Sequence, residues 1–82
     1  MGYDMWRWLK KRRLKAEIQK LRRQVLDEDE EQDSLIVSRY VALQAQDAHA
    51  FDVFSNALVH SLSKRRDLLT RHKDLVAQLE RL

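Results

Sequence analysis

The clearest pattern in the chain is a regular alternation of apolar and polar residues over its second half. From residue 37 to residue 79, positions recur in steps of four and three for about six repeats, the spacing of a coiled-coil seam. A second apolar row, from residue 36 to residue 82, keeps the same repeat one residue earlier. Together the rows predict a stripe wide enough to contact at least two neighbouring helices. The candidates for this oligomer or partner seam are Val37, Val41, Phe51, Phe54, Leu58, Leu62, Leu69, Val76 and Leu79.

A shorter apolar face occurs near the start of the chain. Its members are spaced by four, three and four residues, which places them on one face of a helix. This predicted N-terminal helix seam consists of Leu14, Ile18, Leu21 and Val25. Before it lies a tip with four large apolar side chains, Met5, Trp6, Trp8 and Leu9. Most of the tip projects to the opposite side of the helix, so we expect the tip and the seam to contact different partners.

The acidic run at residues 27–33, with sequence DEDEEQD, separates these two patterns. We predict three segments: a basic amphipathic helix over residues 1–26, an acidic connection over residues 27–34, and a heptad-patterned helix over residues 35–82. Two alternatives stay open. The acidic run is compatible with an exposed helix, because glutamate tolerates helices well. A turn within residues 55–63, where serines cluster, would instead produce a three-helix bundle.

Composition supports a helical fold. The chain has no proline, and its only glycine is Gly2, so strong helix breakers are absent from the rest of the 82 residues. The sequence therefore predicts an all-α protein, with a basic N-terminal helix and a long amphipathic helix arranged as a helical hairpin or a coiled-coil bundle. A chain this short buries a modest core, and it has no cysteine for disulfides, so we expect stabilisation by a partner.

The sequence contains no pattern typical of an enzyme. His49, His60 and His72 are eleven and twelve residues apart and lack the helical spacing of zinc or di-iron ligands. Phosphate-binding loops and nucleophile turns need glycines that the chain does not have. We therefore expect no catalytic residue, no metal site, no cofactor and no small-molecule substrate.

Charge gives the strongest functional indication. Residues 1–26 carry a net charge of +7, against −6 for residues 27–33. The candidate polyanion-binding residues are Arg7, Lys10, Lys11, Arg12, Arg13 and Lys15. The leading hypothesis is a structural or assembly protein that forms homo-oligomers or docks on a larger protein complex. Two alternatives are a small regulatory protein that binds nucleic acid and a peripheral protein whose tip lies on an anionic membrane surface. No secretory signal is recognisable, so an intracellular soluble or peripheral location is expected.

Overall fold

A computed structural model describes residues 2–82, with side chains from Asp4 onward. Its architecture is an antiparallel hairpin of two helices, α1 (Gly2–Gln44) and α2 (Ala48–Glu80). The molecule measures 68 × 14 × 13 Å and its radius of gyration is 19.0 Å. A globular chain of this length would have a radius of gyration of about 12 Å. The prediction of an all-α helical hairpin is confirmed, and the hairpin is an elongated rod.

The turn between the helices is built without glycine. Gln46 adopts a left-handed conformation (φ 57°), its N–H donates to the Leu43 carbonyl at 3.1 Å, and the Asp47 N–H donates to the Ala42 carbonyl at 3.0 Å. These two bonds form a Schellman motif, which ends α1. Asp47 then caps α2, because its Oδ1 accepts a hydrogen bond from the Ala50 N–H at 3.0 Å.

The predicted division of the chain is wrong in its boundaries. Residues 27–34 are not a connection but part of α1, which continues eighteen residues beyond the predicted end at residue 26. The predicted helix over residues 35–82 is instead interrupted at residues 45–47, and the alternative break at residues 55–63 falls inside the continuous α2. The acidic run stays helical because two of its carboxylates bind residues of α2, as described below.

The apolar core occupies the open end of the hairpin, away from the turn. Leu14, Ile18 and Leu21 of α1 are buried against Leu75 of α2. Half-buried side chains close the cluster from α2 and from the residues just after it, namely Leu68, Val76, Leu79 and Leu82. Ala42, near the turn, is the only other buried hydrophobic residue in the part of the chain that the structure describes. The two helices are therefore held by a small core at one end.

The contact between the helices follows one heptad pattern on each. The buried and half-buried side chains of α1 recur in steps of four and three through the acidic run, at positions 14, 18, 21, 25, 28, 32, 35, 39 and 42. Those of α2 recur at positions 51, 54, 58, 61, 65, 68, 72, 75 and 79, and Leu82, just after the end of α2, continues the series. Successive positions of the α2 series belong in turn to the first and the second of the two heptad rows predicted from the sequence. Half of each row thus faces α1, and the remainder faces elsewhere.

Candidate interaction surfaces

A cluster of polar residues, the polar layer, occupies the middle of the helix contact. Glu28 (4% exposed) accepts a hydrogen bond from Ser61 Oγ at 2.7 Å and forms an ion pair with Lys64 Nζ at 2.8 Å. Beside it, Arg65 Nε donates to Asp29 Oδ1 at 2.6 Å. Because a buried carboxylate without partners is strongly unfavourable, these bonds explain how Glu28 replaces a leucine in the heptad pattern.

The polar layer perturbs the ionisation of its central pair. The hydrogen bond from Lys64, reinforced by that from Ser61, holds the pKa of the Glu28 carboxyl below its usual value, although burial opposes the change. The same bond to Glu28 raises the pKa of the Lys64 ammonium. Both shifts favour the charged pair, so the polar layer links the two helices most strongly near neutral pH.

One flank of the hairpin carries large apolar side chains that the fold leaves exposed. On α1, each of these side chains belongs to the residue that directly follows a position of the helix contact. Leu26 lies beside Leu69 of α2 in an open groove whose lining also includes Arg22, Val25 and His72. A second groove on this flank, near the turn, is lined by Ile36, Arg39, Tyr40, Leu43 and Phe51. The apolar face is defined here as Leu26, Ile36, Tyr40, Leu43, Leu62 and Leu69, which are 40–63% exposed.

The opposite flank is polar in the half of the hairpin away from the turn. The groove there is lined by Glu17, Lys20, Gln24 and Arg71 above the core residues Leu21 and Leu75, and the Lys64–Glu28 ion pair also emerges on this side. This half of the hairpin is therefore asymmetric, with large apolar side chains on one flank and charged or amide side chains on the other, whereas nearer the turn Val41 and Val53 are exposed outside the apolar face.

The residues of the predicted partner seam are divided among three environments. The structure places five of them, half-buried, on α2: Phe51, Phe54, Leu58, Val76 and Leu79. Leu62 and Leu69 are exposed on the apolar face (50% and 40%). Val37 and Val41 lie on α1, 62% and 59% exposed and outside the helix contact. The single continuous seam predicted from residue 37 to residue 79 is therefore wrong, because the turn at residues 45–47 resets the phase.

The predicted N-terminal seam faces α2. Leu14, Ile18 and Leu21 are buried and Val25 is half-buried. The partner of this seam on α2, and the continuation through Glu28 and Gln32 to Leu35, were not predicted. The signal was present, since these residues keep the same four-and-three spacing, but polar side chains at the seam positions concealed it.

The tip extends beyond the end of α2. Arg22 contacts His72, and Asp29 contacts Arg65. In each pair the two residue numbers sum to 94, which gives the register of the antiparallel helices. By this register, Leu82 lies level with about residue 12 of α1. Met5, Trp6, Trp8 and Leu9 are 51–65% exposed. Lys10 lies over the Trp6 ring at 5.0 Å, and Arg12 lies over the Trp8 ring at 5.5 Å. Each tryptophan is thus paired with a cation one turn later.

The predicted polyanion-binding residues surround this part of α1 and do not form one patch. Arg7 and Lys11 are half-buried at positions that continue the helix contact, whereas Lys10, Arg12, Arg13 and Lys15 are exposed. The positive charge therefore accompanies the tip on every side.

Neither a metal site nor a membrane span is found in the described chain. Among residues 2–82, no group of three or more histidine, aspartate or glutamate side chains could hold a metal ion. Within the same range, no helix is both long and apolar enough to cross a bilayer.

Comparison with known protein families, with curated proteins and with solved structures finds no match for this chain.

Proposed function

We propose that this chain is a non-enzymatic assembly protein whose hairpins associate with one another through the apolar face. The observation that carries the proposal is the distribution of large apolar side chains. Five hydrophobic residues of the described chain are buried, and one of them is an alanine. The apolar face alone has six exposed side chains, all of them larger than alanine. These side chains group around two grooves, one containing Leu26 and Leu69 and one containing Ile36, Tyr40 and Leu43. Exposed apolar patches mark interaction sites in soluble proteins.

The surface area of the hairpin supports association. Its accessible surface is 6805 Å² for a mass of 9.8 kDa. A globular monomer of this mass exposes about 5,200 Å². A stable protein interface buries roughly 800 Å² on each partner. The hairpin thus exposes about 1,600 Å² more than a globular monomer of this mass, about twice the area that one partner buries in a specific interface.

A second copy of the chain is the partner we propose, because packing two hairpins by their apolar faces produces a four-helix bundle. In such a bundle each helix contacts two neighbours, as the width of the apolar stripe requires. The polar flank of each hairpin stays in water. A two-fold arrangement also uses one surface twice, so it needs no further binding site.

Sedimentation of the purified full chain tests the proposal. We expect a concentration-dependent dimer or higher oligomer, and at least a tenfold weaker association in the double variant Leu62→Glu, Leu69→Glu, because each carboxylate would be buried without a partner. The matched control is Val41→Glu with Val53→Glu, two valines that are 59% and 49% exposed but lie outside the apolar face.

The control variant should associate like the unchanged chain. A folded monomer at all micromolar concentrations, or equal weakening in both double variants, would contradict self-association through this face. Circular dichroism at 222 nm checks that each variant keeps its helix content.

A further inference from the structure

Exposed apolar side chains occur again at the tip, on the same flank of α1 as the apolar face. Counting back from Leu43 in alternating steps of three and four passes through Tyr40, Ile36 and Leu26 and reaches Trp8 and Met5. Apart from Leu26, the exposed apolar side chains on this flank are therefore concentrated at the two ends of α1, with charged and amide side chains between them. At one end lies the tip, and at the other lies the turn-end groove formed by Ile36, Arg39, Tyr40, Leu43 and Phe51.

The charge along α1 is opposite in its two halves. Residues 1–26 carry a net charge of +7 and residues 27–44 carry −5, since Arg39 offsets one of the six carboxylates. On the apolar flank itself, the first half presents Arg12, Lys15 and Arg22, and the second half presents Asp29 and Asp33. An antiparallel pair centred between residues 25 and 26 would place the acidic run of one copy along Lys20, Arg22 and Arg23 of the other. It would place the tip along residues 36–44, where Arg39 is the only charged side chain.

We propose that the turn-end groove of one hairpin binds the basic, tryptophan-bearing tip of a second hairpin, in an antiparallel two-fold pair. This inference rests on the proposed self-association and specifies its geometry. A two-fold axis between residues 25 and 26 brings Leu26 beside its own copy and Arg22 opposite Asp29 of the second chain. The same axis places Trp8 level with Leu43, and Arg12 level with Arg39, one residue from Tyr40.

The helix α2 is compatible with the same axis. Because facing positions of the hairpin sum to 94, an axis between residues 25 and 26 of α1 crosses α2 near residues 68 and 69. Leu69 then lies beside its own copy, and Leu62 lies level with Val76 of the second chain. Exposed apolar side chains thus meet on both helices without any change to the hairpin.

The arrangement also explains why the tip is long. By the register of the hairpin, the first ten or so residues of α1 have no part of α2 beside them. In the antiparallel pair this segment lies along the turn half of the second copy, where the apolar side chains of its own hairpin are exposed. The contact between tip and turn-end groove occurs twice in the pair and covers both ends of each hairpin. The assembly is therefore closed as a dimer, or as a dimer of dimers.

Single-cysteine cross-linking tests the geometry directly, because the natural chain contains no cysteine. With a short bifunctional maleimide, Leu26→Cys should form covalent dimers by itself. Leu43→Cys and Trp8→Cys should each fail alone, because their copies lie at opposite ends of the pair. A mixture of these two variants should form cross-linked heterodimers.

The outcomes separate the geometry from self-association. Oligomers that cross-link through Leu43→Cys alone, or through Leu26→Cys only when mixed with Leu69→Cys, would overturn the antiparallel pair and leave self-association intact. A monomer in sedimentation would overturn both proposals. Retained helicity at 222 nm and an unchanged sedimentation profile identify the cysteine variants that are suitable for this test.

Tryptophan fluorescence gives a second, independent measurement, since both tryptophans of the chain belong to the tip. Emission should shift to longer wavelength on dilution through the dimer dissociation range, and the shift should occur at higher protein concentration when salt screens the charge pairing. Emission that is insensitive to dilution but shifts on addition of phosphatidylserine vesicles or single-stranded DNA would overturn the proposed occupant of the groove.

Discussion

Leu21 provides the most direct test of where the hairpin is held together. Its side chain is 4% exposed and packs in the cluster formed by Leu14, Ile18 and Leu75. Replacing it with alanine removes three carbon atoms from a buried site, a loss of about 2.4 kcal/mol at roughly 0.8 kcal/mol per methylene group. Incomplete collapse around the cavity adds to this figure, and measured leucine-to-alanine changes in cores span about 2–5 kcal/mol.

The core of this hairpin is shallow, so we expect Leu21→Ala to lower the free energy of unfolding by about 2.5–3 kcal/mol. For a chain of 82 residues with a total stability on the order of 4–12 kcal/mol, this is a large fraction. Urea denaturation followed at 222 nm measures it. With a slope of about 1 kcal/mol per molar urea, the midpoint should fall by about 2.5 M.

The matched control is Val37→Ala, which truncates an apolar side chain that is 62% exposed on the same helix. The free energy of unfolding of this variant should change by no more than about 0.5 kcal/mol. The two variants should be compared at the same protein concentration, because association adds to apparent stability. Equal shifts in the two variants would show that the cluster around Leu21 is not the main packing contact.

Two further predictions concern the polar layer and the turn. Because the pKa of Glu28 is lowered in the folded chain and that of Lys64 is raised, the pair should stabilise the fold between the ordinary values of 4.5 and 10.5. Stability should therefore fall as the pH drops below 4.5, and Glu28→Gln should reduce this acid dependence of the urea midpoint; an unchanged dependence would contradict the assignment. In the turn, Gln46→Gly should raise the free energy of unfolding by up to about 1 kcal/mol, because glycine adopts the left-handed conformation without steric strain. A thermal melt checks this, and a lower melting temperature would refute it.

The all-helical class follows from the sequence, because nothing after Gly2 strongly breaks a helix. The position of the turn does not, because the residue in the left-handed conformation is Gln46 and not glycine. Nothing in the local sequence marks Gln46 as different from the other glutamines. The only local signal was Asp47, whose side chain can cap a helix, and it lies within an unbroken heptad spacing.

The acidic run was the second obstacle to prediction. Six carboxylates in seven residues are typical of an exposed connection, and only their pairing with α2 shows why the helix continues. That pairing is non-local: Glu28 and Lys64 are distant in sequence and meet only once the chain has reversed direction. The tip was easier to identify, since its tryptophans and basic residues are adjacent in sequence, although its extension past α2 depends on the position of the turn.

The polar layer has a consequence for the dimensions of the molecule. Leucine-rich heptads alone would allow α2 to slide along α1 by one repeat, a displacement of about 10 Å, with little loss of apolar contact. Such a slide would carry Lys64 and Arg65 away from Glu28 and Asp29 and leave a buried carboxylate without a partner. Together with the turn, a few ionic contacts in the middle of the hairpin therefore act as a length gauge: they fix the register of the two helices, and so how far α1 extends past the end of α2.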